Sequence, residues 1–138
     1  MIAIDSDNTT LHITRGDATQ DKFNRLAFHF PIFNMETQKE EDYEFQLEDK
    51  ITFVVLQKKG YTKEEVFRKE FTIADLGYTA PTTTPEIKLT AEDTKQFDLA
   101  DKATTYWYDL ILNEDTTMLG FDDEGAKQII VYPEAEEV

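Results

Sequence analysis

Between Ala103 and Asn113 the chain alternates strictly: Thr104, Tyr106, Tyr108, Leu110 and Leu112 share one parity, Trp107 and Ile111 the other. Successive side chains of a strand point to opposite faces, so this run is a β-strand with a large apolar face to bury. A strand must find partners, and the rest of the sequence supplies them. Leu11 and Ile13 alternate in Thr9 to Thr14. Leu26, Phe28, Phe30 and Ile32 share a parity, with Arg25 and His29 on the other and Pro31 marking an edge or bulge. Ile51 to Gln57 is apolar on both faces and β-branched, the pattern of a central strand. Tyr43 to Gln46, Val66 to Ile73, Glu86 to Leu89, Thr116 to Phe121 and Lys127 to Tyr132 complete the series.

The connections carry turn chemistry. Arg15-Gly16-Asp17, Glu48-Asp49-Lys50 and Asp122-Asp123-Glu124-Gly125 are turns, residues 34 to 42 a polar connection, and Lys58 to Glu65 a polar loop or hairpin tip. The Thr-Pro-rich run from Thr79 to Pro85 sits in a long loop, expected to be the most mobile segment. Thr90 caps a helical turn whose first residues include Glu92 and Asp93, with Asp93 standing where a capping box usually has Glu or Gln. Short strands with turns every eight to twelve residues predict an all-β fold: an antiparallel β-sandwich with one short helical turn, or else a small barrel. The parities predict a core of Leu26, Phe28, Phe30, Phe53, Val55, Phe71, Leu89, Tyr106, Tyr108, Leu110 and Ile130. With 138 residues and few Gly or Pro, the reading is one domain over 1–138, its core about 11–132 between short acidic termini.

Charge and composition narrow the function. Asp and Glu number 29 against 14 Lys and Arg, a formal net charge of −15. Such a chain repels phosphate backbones and anionic lipid, and its basic pairs, Lys58-Lys59 and Arg68-Lys69, have glutamates nearby. Neither nucleic acid nor membrane is an expected partner. No residue is Cys, so disulfides, thiolate chemistry and cysteine-held metals are excluded. No secretory signal pattern opens the sequence.

No catalytic, cofactor-binding or metal-binding residues are assigned. His12 and His29 each lie opposite the apolar parity of their strands and face outward. Asp5-Ser6-Asp7-Asn8 begins like a calcium loop but lacks its Gly and closing Glu, having Thr10 and Gly16 there. Ser6 has no nucleophile-elbow context. Arg15-Gly16-Asp17 matches an adhesion tripeptide, yet turn chemistry alone accounts for it. Carboxylates are too numerous for any pair to be singled out. Edges, loops and aromatic surface remain, and they suit an interaction module.

Four segments occur in an order that resembles a known family: Ile13-Thr14-Arg15-Gly16-Asp17; Glu48-Asp49-Lys50-Ile51-Thr52-Phe53; Ile87 to Lys95, reading Ile-Lys-Leu-Thr-Ala-Glu-Asp-Thr-Lys; and Tyr106-Trp107-Tyr108-Asp109-Leu110. Together they resemble the immunoglobulin-like N-terminal domain of phage baseplate upper proteins and related small phage and prophage proteins of Gram-positive bacteria. The resemblance spans about Leu11 to Tyr132. It departs at Glu48, where the family often has Gly, at Ala91, where it has Pro, and at Lys102-Ala103, where it commonly has Tyr-Gly. It implies an immunoglobulin-like sandwich in a non-enzymatic virion component. Its partners would be other virion or tail proteins, with a possible homo-oligomer, and its location the virion, by way of the host cytoplasm during assembly. It implies no cofactor and no catalytic residue. The alternative is a carbohydrate-binding accessory module for host-surface recognition, for which Tyr61, Tyr78 and Trp107 are the candidate platform. Two surfaces are expected to serve assembly: the face bearing Arg25, Ala27 and His29, and the uncharged run Thr79 to Pro85.

Overall fold

The computed structural model describes residues 1–5, 9–20, 22–57, 65–119 and 127–134, without the side chains of 118 and 119. In chain order the strands are β1 (Ile2–Ile4), β2 (Leu11–Thr14), β3 (Leu26–Ala27), β4 (Pro31–Asn34), β5 (Lys39–Asp42), β6 (Lys50–Leu56), β7 (Glu65–Thr72), β8 (Glu86–Ile87), β9 (Thr104–Leu112), β10 (Thr116–Leu119) and β11 (Gln128–Tyr132). A 3-10 turn at Ala74–Leu76 and the short helix α1 (Ala91–Thr94) are the helical elements among the described residues. The fold is all-β and sandwich-like.

One layer is a seven-stranded sheet in the order β1-β2-β11-β9-β6-β7, with β10 folding back on the end of β9. The strands pair antiparallel except β2 and β11, which run parallel. The sheet is therefore mixed, not wholly antiparallel. The second layer is thin: β3 pairs β8, β4 pairs β5, and Phe45 bridges Thr82. Irregular segments between these pieces carry Phe28, Phe30, Leu89 and Phe97 into the core.

The layers interlock through aromatic rings. Phe97 lies between Tyr106 (centroids 4.8 Å apart) and Phe67 (5.7 Å), and Phe53 meets Phe67 (6.2 Å) and Tyr108 (5.8 Å). Phe28 joins Tyr108 (6.4 Å) to Phe30 (5.9 Å), and Phe30 leads to Phe45 (5.0 Å) and Tyr43 (4.8 Å from Phe45). Tilted and edge-on ring pairs of this kind add about 0.5–1.5 kcal/mol each beyond area burial. The alternation along β9 holds residue by residue, with Tyr106, Tyr108, Leu110 and Leu112 buried. The central position of β6 also holds: Thr52 and Val54, on its outer face, are buried along with Ile51, Phe53 and Val55.

Several expectations are corrected. Ile130 is not in the core; Ile129 and Val131 are. Gln128 to Tyr132 is apolar at both parities, and pairing with β9 sets the phase: Ile129 lies opposite Tyr106, while Ile130 lies opposite Thr105. The strand from Leu26 to Ile32 is broken. Leu26, Phe28 and Phe30 are buried as expected, but Pro31 begins a separate hairpin and Ile32 is exposed. Tyr43 to Gln46 forms only an isolated bridge, whereas the polar connection holds a strand, Lys39–Asp42. Ordered sheet begins at Ile2, which is buried, ahead of the expected boundary near residue 11. The Thr79 to Pro85 run is tied to Phe45 by two backbone hydrogen bonds at Thr82, of 2.8 and 3.1 Å. Residues 6–8, Lys58, Lys59, Tyr61 and the 122–125 turn lie outside the described residues.

Candidate functional site

The turn Arg15-Gly16-Asp17 closes with Asp17 N–H donating to Thr14 O (3.1 Å), and it needs glycine because Gly16 sits at φ +90°. Its polar groups are engaged by neighbouring segments. Arg15 donates from Nε to Phe97 O (2.8 Å) and from Nη2 to Lys95 O (2.8 Å), capping carbonyls that follow α1. Its Nη1 reaches Glu134 Oε2 at 2.6 Å. Asp17 pairs with the Met1 amine. Gly16 N–H donates to the buried Thr94 hydroxyl (2.9 Å), and that hydroxyl donates to Asp17 O (2.7 Å). The tripeptide is a structural clamp between β2 and α1, with both charged side chains held by the fold.

α1 has the capping box expected of it. Asp93 N–H donates to Thr90 Oγ1 (3.1 Å) and Thr90 N–H to Asp93 Oδ2 (2.8 Å). Lys69 on β7 reaches the same carboxylate, crossing between the layers. Burial raises the Asp93 pKa, but hydrogen bonds from Lys69 and Thr90 outweigh it and hold the carboxyl below its usual range.

A second polar cluster surrounds Asp49, which is nearly buried. Its carboxylate accepts from the Tyr43 hydroxyl (2.8 Å), Gln46 N–H (2.9 Å) and the Asn113 side-chain amide (3.1 Å). Asn113 Oδ1 in turn accepts from Lys50 N–H (2.9 Å). Asn113 and Glu114 both have positive φ, and Asp115 N–H donates to Leu112 O (3.2 Å), so they form the primed tight turn from β9 into β10. Burial opposes the Asp49 charge, yet the donors win and its pKa falls below the usual carboxylate value. Burial and the adjoining Asp49 push the Tyr43 phenol up to about 12.

His12 lies on β2, whereas His29 lies in the irregular segment between β3 and β4. His12 Nε2 is 2.7 Å from Asp5 Oδ1 and its Nδ1 2.9 Å from the Tyr132 hydroxyl, with the two rings stacked. A carboxylate only accepts, so Nε2 carries the proton and, in the neutral ring, Nδ1 accepts from the phenol. This row of acid, imidazole and hydroxyl ties the β1–β2 hairpin to β11. His29 Nδ1 lies 3.1 Å from Asp42 Oδ1 on the surface. No group of His, Asp and Glu among the described residues is arranged to hold a metal ion.

The aromatic platform is not assembled from its described members. Trp107 is half-buried on the outer face of the large sheet, its indole N–H enclosed and without a hydrogen-bond partner. Tyr78 packs against the core, and its hydroxyl accepts from Glu86 N–H (3.1 Å). Of the expected assembly surfaces, the Arg25 face is engaged through Arg25 Nε donating to Glu86 (2.6 Å).

The feature that departs most from a packed domain is the β4–β5 hairpin. Its strands pair only with each other among the described residues, and every side chain is exposed except the half-buried Asn34. Phe33 is 56% and Met35 74% exposed, with Ile32 also open to solvent. Beside them, Glu40, Glu41, Asp42, His29 and Pro31 line a shallow open depression of about 430 Å³. Sequence reasoning missed this arm because Lys39-Glu40-Glu41-Asp42 has little strand propensity. The available signal was Asn34, a turn residue following an apolar dipeptide.

Fold and surface together define an all-β, sandwich-like protein whose charged clusters brace its own turns and whose projecting arm offers contact surface. No family model, curated protein or solved structure matches the chain.

Proposed function

We propose that the chain is a non-enzymatic structural protein of a phage or prophage, a tail or baseplate component acting through protein–protein contacts. The observation that carries this reading is that the segments behind the family resemblance are joined to one another. The Arg15-Gly16-Asp17 turn is hydrogen-bonded to Thr94, Lys95 and Phe97, and the Asp49-Lys50 turn to Asn113 at the end of β9. These motifs work as braces of a scaffold, which is what the resemblance implies for them. The Arg15, Asp17 and Asp49 side chains are engaged in the same bracing, and the exposed arm supplies a surface for assembly.

Purified particles from the source phage or induced prophage provide the test. Mass spectrometry of gradient-purified virions is expected to find the chain at a fixed stoichiometry to the tail proteins, with antibody labelling at the tail. A chain absent from washed particles overturns the proposal. Glycan-array binding that depends on Trp107 would instead favour the carbohydrate-binding module.

A further inference from the structure

We infer that the β4–β5 hairpin is a docking arm for a second, different protein that presents an apolar pocket rimmed by Lys and Arg. The inference rests on the assembly reading above and names the surface and the partner chemistry.

A two-stranded hairpin is marginal in water unless something covers it. This one is held in shape in advance. Asn34 Oδ1 accepts from Glu36 N–H (2.9 Å) and Thr37 N–H (3.2 Å), and Gln38 N–H donates back to Asn34 O (2.8 Å). Glu41 accepts from Asn34 Nδ2 (3.1 Å) and the Thr37 hydroxyl (3.1 Å), while Gln38 Nε2 donates to Met35 O (2.6 Å). At the base, Tyr43 N–H donates to Phe30 O (2.8 Å), and Phe30 and Phe45 are buried. The turn thus projects Met35, and the strand beside it Phe33, from a hydrogen-bonded stem. Ordering them beforehand lowers the entropy lost on binding. Aromatic and Met side chains are the types enriched at interface centres.

The arm is poorly suited to growing by strand addition. Pro31 removes a backbone donor from β4, and β5 carries Glu40, Glu41 and Asp42. Both are devices that blunt a sheet edge. Recognition therefore falls to side chains. By register, Pro31 and Phe33 share a face with Asp42 and Glu40. An apolar anchor thus stands beside carboxylates, and the depression next to it is lined by Glu40, Glu41 and Asp42. The complementary surface receives Phe33 and Met35 in a pocket and places Lys or Arg against the carboxylates. A second copy of this chain fits badly, since each copy carries a formal charge of −15. Nucleic acid and anionic lipid fail for the same reason.

The test uses the full chain, immobilised, against a phage-displayed library of random dodecapeptides selected at low salt. Enriched sequences are expected to combine Lys or Arg with aromatic or aliphatic residues. The double variant Phe33→Ala/Met35→Ala, at exposed positions, should weaken the best peptides by more than about tenfold. Glu36→Gln/Glu40→Gln, whose side chains do not brace the turn, should weaken them less and flatten the salt dependence. Circular dichroism and melting should match the parent for both variants. Acidic consensus peptides, no enrichment, or peptides indifferent to both variants overturn the arm. A chain present in virions with such a result would leave the assembly reading standing. A chain absent from virions whose arm still binds basic-apolar peptides would fail that reading alone.

Discussion

Gly16→Ala tests the clamp between β2 and α1 most directly. At φ +90° an L side chain is strained, and the left-handed region costs about 1–2 kcal/mol. The new Cβ would lie 2.4 Å from Glu134 Oε1 and 3.1 Å from its Cδ, so Glu134 must swing away. That movement breaks its 2.6 Å contact with Arg15 Nη1. Glu134 is more than a third exposed, so the ion pair is discounted to about 0.2–1 kcal/mol. The restricted unfolded chain gives back about 0.4–1 kcal/mol. The sum is a destabilisation of roughly 1–2 kcal/mol. Urea unfolding followed by Trp107 fluorescence should show a lower midpoint at unchanged slope. In a Glu134→Ala background the collision and the ion pair are already gone, and the added cost should shrink to the backbone part. A double-mutant cycle should therefore give a coupling of about 0.5–1 kcal/mol. A Gly16→Ala cost below about 0.5 kcal/mol would refute the need for a left-handed residue. Equal costs in both backgrounds would refute the placement of Glu134 over the turn.

Asp49→Ala should destabilise by about 2–3 kcal/mol, because Gln46 N–H, the Tyr43 hydroxyl and the Asn113 amide lose a charged acceptor; chemical denaturation measures it. Thr94→Val keeps the shape of a fully buried side chain but strands Gly16 N–H and Asp17 O, costing about 1–3 kcal/mol by the same assay. The folded-state pKa values of Asp49 and Asp93 lie below their unfolded values. Their stabilisation is therefore complete above about pH 4 and lost as pH falls through the lowered folded values, and Asp49→Asn or Asp93→Asn should flatten that acid limb in thermal melts. Tyr43 is shifted the other way: its contribution is complete below the unfolded pKa near 10 and is lost as pH rises toward about 12. An ultraviolet phenolate titration should show a late component that is lost in Tyr43→Phe.

What the sequence made legible follows from which forces are local. β6 and β9 could be read because their patterns are strong and their neighbours cannot change which residues are apolar. The Thr90 cap was readable because Thr90 and Asp93 satisfy one another three residues apart. The phase of β11 was not, since adjacent isoleucines at 129 and 130 leave register to decide which one faces the core. β1 escaped notice because Ile2-Ala3-Ile4 is too short to show a period and becomes a strand only by pairing with β2. The arm escaped because its strand state comes from the turn chemistry of Asn34 and Gln38, not from propensity. The Asp49 cluster joins residues 43, 49 and 113, a closeness no spacing encodes.

The parallel pairing of β2 with β11 has a consequence for how the chain is made. A ribosome releases β1 and β2 before the other described strands, yet β2 takes its place in the sheet beside β11, the last of them to emerge. Until then the β1–β2 hairpin has no route to the rest of the sheet, and β9 leaves open the edge where β11 will lie. The nascent chain therefore holds unpaired strand edges from the emergence of β2 until that of β11, the condition under which neighbouring chains associate wrongly. A net charge of −15 on every copy works against that encounter: it keeps unfinished chains apart until the final strand slides in between the two it joins.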